Sequence, residues 1–127
     1  MTFFNINNNH WVTAFISVKE KLLCYIDPFG AEQATESKML DNVNRWMVAL
    51  NRPKLNVLHL EQTIQTDSYN CGVYSCVFMK KLLDELNNQE SIKETSLIVK
   101  DIKKERKKIY HMVMVKDFQK YDVPELE

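Results

Sequence analysis

Four side chains in this sequence make up an acyl-transfer set in the chain order His10, Asp27, Gln65, Cys71. Cys71 stands where the polar stretch 61–70 gives way to an apolar run, so it falls at the start of a helix. Free amide N–H groups and the positive end of the helix dipole stabilise a thiolate at such a position. Gly72 follows, letting the backbone turn tightly and leaving room for a substrate to approach. A base serving this thiol must reach it with one ring nitrogen and a carboxylate with the other. His10 and Asp27 supply those groups if the strands next to them pair as a hairpin. Gln65, six positions before Cys71, carries an amide that can donate to a developing oxyanion, with the Cys71 backbone N–H as second donor. Taken singly, each residue has a plainer reading. Cys71 would be a buried structural cysteine, His10 a loop residue after Asn7-Asn8-Asn9, Asp27 a turn former before Pro28, and Gln65 a polar loop residue.

The elements that must hold these groups follow from periodicity. In 11–18 the set Val12, Ala14, Ile16, Val18 alternates with Trp11, Thr13, Phe15, Ser17, which predicts a strand. Lys19-Glu20 fits a tight turn, and 21–27 reads as the returning strand, which brings Asp27 to its C-terminal end. Asp27-Pro28-Phe29-Gly30 fits a β-turn, with Pro second and Gly fourth. A helix is predicted over 35–51, with the stripe Leu40, Val43, Met47, Leu50, Trp46 at its edge, and Pro53 as its stop. A short alternating segment spans 55–60. The second helix runs over about 71–86 with an inward stripe of Cys76, Met79, Leu83 and Leu86, Val73 and Leu82 lying nearby. A third, capped by Thr95 or Ser96, runs to about Phe118 and carries Ile98, Ile102, Ile109, Met112 and Val113 inward.

Three stretches together, Asn9-His10-Trp11, Tyr25-Ile26-Asp27 and Gln65 through Cys76, resemble the catalytic core of the ubiquitin-like-specific cysteine proteases, which process and remove SUMO and related modifiers. The resemblance covers about residues 3–86. It implies an α+β, papain-like α/β fold in which helices flank a central, mostly antiparallel sheet. It also implies roles: Cys71 as nucleophile, His10 as general base, Asp27 as its orienter and Gln65 as oxyanion donor. Trp11 would line a narrow channel for the Gly-Gly tail of the modifier. Asn70 stands where the family most often has Asp, a position outside the triad at which little chemical cost is expected. Met1 falls about one strand before His10, so the resemblance implies a single catalytic domain over 1–127 that lacks the family's usual N-terminal part. Two other readings stay open: an inactive remnant or modifier-binding module, and a viral or mobile-element protease that processes a polyprotein.

Composition narrows the field. With 127 residues the chain is one domain at most, and 45% hydrophobic residues suffice for a modest core. The 17 basic and 17 acidic residues cancel, so nothing global points to a nucleic-acid or membrane-surface partner. The expected partner is a ubiquitin-like modifier of the SUMO or NEDD8 class. Three Cys and no secretory signal predict an intracellular site, in the nucleus or cytoplasm. Cys71 and Cys76 are about 140° apart in helical projection, so they form no redox pair, and Cys24 reads as core. No metal or cofactor is expected. The run Lys103–Lys108 resembles a weak nuclear-localisation patch but reads as a solvated helix face. His59 and His111 read as structural.

Overall fold

The computed structural model describes residues 2–6, 9–89 and 91–116. Its sheet has the order β1-β2-β3-β4, with β1 Thr2–Ile6, β2 His10–Ser17, β3 Leu22–Ile26 and β4 Asn56–Val57. The first three strands are antiparallel, and β4 joins β3 in parallel. The β2–β3 hairpin pairs Thr13 with Ile26 and Ser17 with Leu22. Its turn closes on Lys21, at φ 57°, which is why β3 begins one residue later than the pattern suggested.

Both faces of β2 are covered, so Val12, Thr13, Ala14 and Phe15 are all buried. On one face α1 (Gln33–Ala49) packs Met47, Met39, Leu40 and Val43 against Leu23, Ile16 and Leu55. Asn44 pins the start of the following segment, donating to the Leu55 carbonyl at 3.1 Å and accepting from the Leu55 N–H at 2.7 Å. Leu50 lies just past this helix and is exposed, as is Trp46.

On the other face lies α2 (Cys71–Gln89), and here the expected stripe is corrected. Tyr74, Val77, Phe78 and Leu82 enter the core with Phe15, Cys24 and Ile26. Cys76 and Leu83 face outward, and Leu86 is only partly buried. Residues 71–79 of this helix are apolar on nearly every side, so periodicity there does not choose the buried face. Two polar contacts to β2 do: Thr13 Oγ1 donates to the Ser75 carbonyl at 3.4 Å, and Ser75 Oγ donates to the Trp11 carbonyl at 3.2 Å.

The third helix is also shorter than expected. Residues 92–99 are not helical: a turn bonds Thr95 N–H to the Ile92 carbonyl, and Leu97 then bridges the segment before α2 at Gln62. Leu97 N–H donates to the Glu61 carbonyl at 2.8 Å, and Thr63 N–H to the Leu97 carbonyl at 3.1 Å. This pairing buries Ile92, Leu97 and Val99 under α2 and leaves Ile98 outside. α3 runs over Ile102–His111, capped by Asp101, whose side chain accepts the Lys104 N–H. A π-helical turn, Met112–Lys116, follows it. Ile102 and Ile109 pack inward as expected, whereas Met112 and Val113 are exposed. The expected end of this helix at Phe118 lies outside the described residues.

Candidate active site

The hairpin brings His10 and Asp27 to one end of the sheet. His10 Nε2–H donates to Asp27 Oδ1 at 2.6 Å, and both side chains are mostly buried. Asp27 ends β3 because Pro28 and Gly30 turn the chain there, with Gly30 N–H bonded to the Asp27 carbonyl at 2.8 Å. Gly30 adopts φ +95°, a conformation other residues rarely take. Asp27 Oδ1 also accepts the Phe29 N–H at 2.8 Å, which fixes the carboxylate plane. The Phe29 ring stacks on the imidazole with centroids 4.8 Å apart. Gln62 Nε2 donates to the Asp27 carbonyl at 2.8 Å, tying the turn to the segment that leads to Cys71.

An ionised carboxylate only accepts, so the proton of the His10–Asp27 bond sits on Nε2. That leaves the lone pair of the imidazole on Nδ1. Nδ1 is buried and has no hydrogen-bond partner among the described residues.

Cys71 is the first residue of α2 and is buried. The Trp11 backbone N–H donates to its Sγ at 3.4 Å, which sets the sulfur beside the residue that follows His10. The amide of Cys71 belongs to the first helical turn, whose N–H groups have no intrahelical acceptor. Gly72 has ordinary helical geometry, so the expected need for a tight backbone turn is not met there. Nor does the Trp11 indole require a glycine there, since an added Cβ would meet it in ordinary van der Waals contact. A Cβ at this position would stand 3.5 Å from Cδ1 of the Trp11 indole. Trp11, Gly72, Ser75 and Cys76 line an open cavity of about 270 Å³, with the indole 44% exposed.

Gln65 is buried beside this loop. Its Nε2 donates to the Asp67 carbonyl at 2.9 Å and to Asp67 Oδ1 at 3.0 Å. Turning the amide over would set oxygen against oxygen at both contacts, so its orientation is chemically required. Oε1 is buried without a partner among the described residues.

Asp67, which the sequence reading passed over, is the hub of the nucleophile loop. Its Oδ1 accepts the Tyr69 N–H at 3.0 Å and the Asn70 N–H at 2.8 Å, and its Oδ2 accepts Asn70 Nδ2 at 3.0 Å. The Asn70 side-chain bond, with those from Tyr69, the Asn70 backbone and Gln65, holds its carboxyl down at about 2. Asp commonly closes turns by accepting N–H groups a few residues on, and that signal was available. Asn70 is buried and accepts from Arg106 Nη1 at 3.2 Å, so position 70 is more engaged than expected. The other cysteines differ in character. Burial, and then Glu36 nearby, push the Cys24 thiol up to about 12, and desolvation pushes Cys76 upward although the residue is exposed. His59 Nε2–H donates to the buried Glu36 carboxylate at 2.7 Å, a structural pairing.

A sequence model of the Ulp1 protease family, C-terminal catalytic domain, matches residues 1–119. The chain therefore belongs to the Ulp1 protease family, and its fold is that of the family's catalytic domain. Ubiquitin-like-specific protease 1 of Saccharomyces cerevisiae is 25% identical over 78 residues, 58% of this chain and 13% of that protein. The solved C-terminal Ulp1 protease domain in complex with Smt3, the yeast orthologue of SUMO, superposes with a TM-score of 0.69 at 21% identity. That match covers 91% of this chain and 52% of the other. The structure of Ulp1 with its catalytic cysteine oxidised to a sulfenic acid gives 0.66 at 21% identity, with the same coverage of both chains.

Proposed function

We propose that this chain is the catalytic core of a thiol protease or isopeptidase that cuts after the C-terminal Gly-Gly of a ubiquitin-like modifier such as SUMO. The observation that carries the reading is the 2.6 Å His10–Asp27 bond, which leaves a buried, unpartnered Nδ1 one residue away from the amide that touches Cys71 Sγ. Membership of the Ulp1 family supports it, as does the fold shared with a domain solved bound to Smt3.

In this mechanism His10 Nδ1 takes the thiol proton as Cys71 Sγ attacks the glycine carbonyl. The oxyanion forms where the Cys71 N–H and the Gln65 amide converge. This role requires one Gln65 N–H to serve both Asp67 acceptors, leaving the other for the oxyanion. Collapse expels the amine, protonated by His10, and leaves a thioester. His10 then deprotonates water, which attacks the thioester and frees the modifier carboxylate and the thiol. Asp27 holds the imidazole and balances its charge while it is protonated. The open cavity beside Gly72 and the Trp11 indole would receive the modifier tail.

The test is intact-mass detection of a covalent adduct with SUMO, NEDD8 and ubiquitin probes that carry a C-terminal electrophile. An adduct with one modifier, absent in Cys71→Ala, is expected. Binding of a modifier without an adduct would favour a non-catalytic module. Cleavage of a polyprotein with all three probes untouched would favour a viral or mobile-element role.

A further inference from the structure

We infer that Arg106, on α3, is a positioning residue that holds the nucleophile loop in its working geometry. This rests on the protease reading above, in which Gln65 and Cys71 form the oxyanion site. The run 103–108 looks like a solvated basic face, and Lys103, Lys104, Arg106, Lys107 and Lys108 are all exposed. Arg106 is engaged differently. Its Nη1 donates to Asn70 Oδ1 at 3.2 Å, and its guanidinium lies 5.5 Å from the centroid of the Tyr69 ring. It therefore grips two consecutive residues immediately before Cys71.

The contact continues inward as one polar chain. With Oδ1 occupied by Arg106, the buried Asn70 amide turns its Nδ2 to Asp67 Oδ2. Asp67 Oδ1 gathers the N–H groups of Tyr69 and Asn70 and the Nε2 of Gln65. Each link is a donor meeting an acceptor, and reversing the Asn70 amide would break two of them at once. Without Arg106, Oδ1 of a side chain only 3% exposed loses this donor. The Asn70 amide is then free to rotate, and the Asp67 carboxylate and Gln65 amide lose a fixed reference. No group of Arg106 reaches the reacting atoms. Its effect falls on oxyanion placement, where displacements of about 1 Å cost on the order of a hundredfold in rate.

The experiment pairs kinetics with amide hydrogen exchange on wild type, Arg106→Ala and Arg106→Lys, using a SUMO substrate with a fluorogenic C-terminal amide. In Arg106→Ala we expect kcat to fall about tenfold, less than the roughly hundredfold or greater loss from deleting an oxyanion donor, with KM within about twofold. Arg106→Lys, which keeps a charged donor, recovers part of kcat. Exchange at the Tyr69 and Asn70 N–H groups accelerates in Arg106→Ala while strand amides such as Ala14 and Cys24 keep their protection. Unchanged exchange at Tyr69 and Asn70 overturns the inference whatever the kinetics. Equal acceleration in the strands also overturns it, since the residue would then act on global stability. If wild type turns over no substrate, the protease reading fails, and the exchange data alone decide whether Arg106 orders the loop.

Discussion

The backbone N–H of Trp11 points at Sγ of Cys71 across 3.4 Å, so the residue after the base touches the nucleophile. The contact joins the first residue of α2 to the start of β2, and the Ser75–Trp11 bond repeats the join one helical turn later. Register between helix and sheet therefore sets where the thiol lies along β2.

The His10–Asp27 pairing predicts the outcome of Asp27→Asn. His10 Nε2 and the Phe29 N–H share Oδ1, so the asparagine either keeps its oxygen there with no charge to balance the imidazolium, or turns its NH2 there, giving up the Phe29 bond and no longer demanding a proton on His10 Nε2. The imidazole can then carry its proton on Nδ1, where it cannot accept one from the thiol. Turnover is expected to fall by about 10²–10⁴-fold while the melting temperature changes little. Steady-state kinetics beside a thermal melt would check this, and retention of activity would remove Asp27 from the mechanism.

Much of this pairing was readable in the sequence because it is local. Alternation defined β2, the turn at Lys19-Glu20 implied the returning β3, and Pro28 with Gly30 fixed where it ends, so the hairpin assumption placed His10 near Asp27. What escaped was set by distant partners. The buried face of α2 was misassigned because Val73, Cys76, Met79 and Leu83 are as apolar as Tyr74, Phe78 and Leu82, and only contacts with Thr13 and Trp11 choose between them. Residues 95–101 have the composition of a helix start, yet Leu97 and Val99 bond to Glu61 and Thr63 instead. Arg106 gave no signal, because nothing in a basic run marks the one member that meets a loop over thirty residues away.

Asp67 gives a pH prediction. Its carboxyl is held below the ordinary 3.8, at about 2, chiefly by the Asn70 side chain. A depressed carboxyl stabilises the folded loop in full above its unfolded value, and the contribution is lost as pH falls from 3.8 toward 2. Exchange at the Tyr69 and Asn70 amides should therefore stay slow relative to the intrinsic rate down to about pH 4 and accelerate below it. In Asp67→Asn that acid step should vanish.

Cys24 supplies an internal control for thiol chemistry. Buried beside Glu36, with its thiol pushed up to about 12, it should resist iodoacetamide at pH 8 in the native protein. Peptide mapping by mass spectrometry should find Cys24 modified only after denaturation. Native labelling there would mean that the core under α2 opens readily.

Phe78 is fully buried at the centre of the cluster that joins α2 to β2 and β3. Phe78→Ala should cost about 3–5 kcal/mol by urea unfolding, a large share of what a chain of this size holds. Leu83→Ala, on the outward face of the same helix, should cost far less.

The seam between α2 and the hairpin divides the site into two mechanical parts. The base and its carboxylate ride together on one covalent hairpin, while the nucleophile rides on a helix tied to that hairpin by packing and a few side-chain bonds. Slippage at the seam would separate sulfur from imidazole while the imidazole kept its carboxylate and the sheet its ladder. Heat should therefore disarm the protein before it melts it: the temperature of half-inactivation should fall below the midpoint of unfolding.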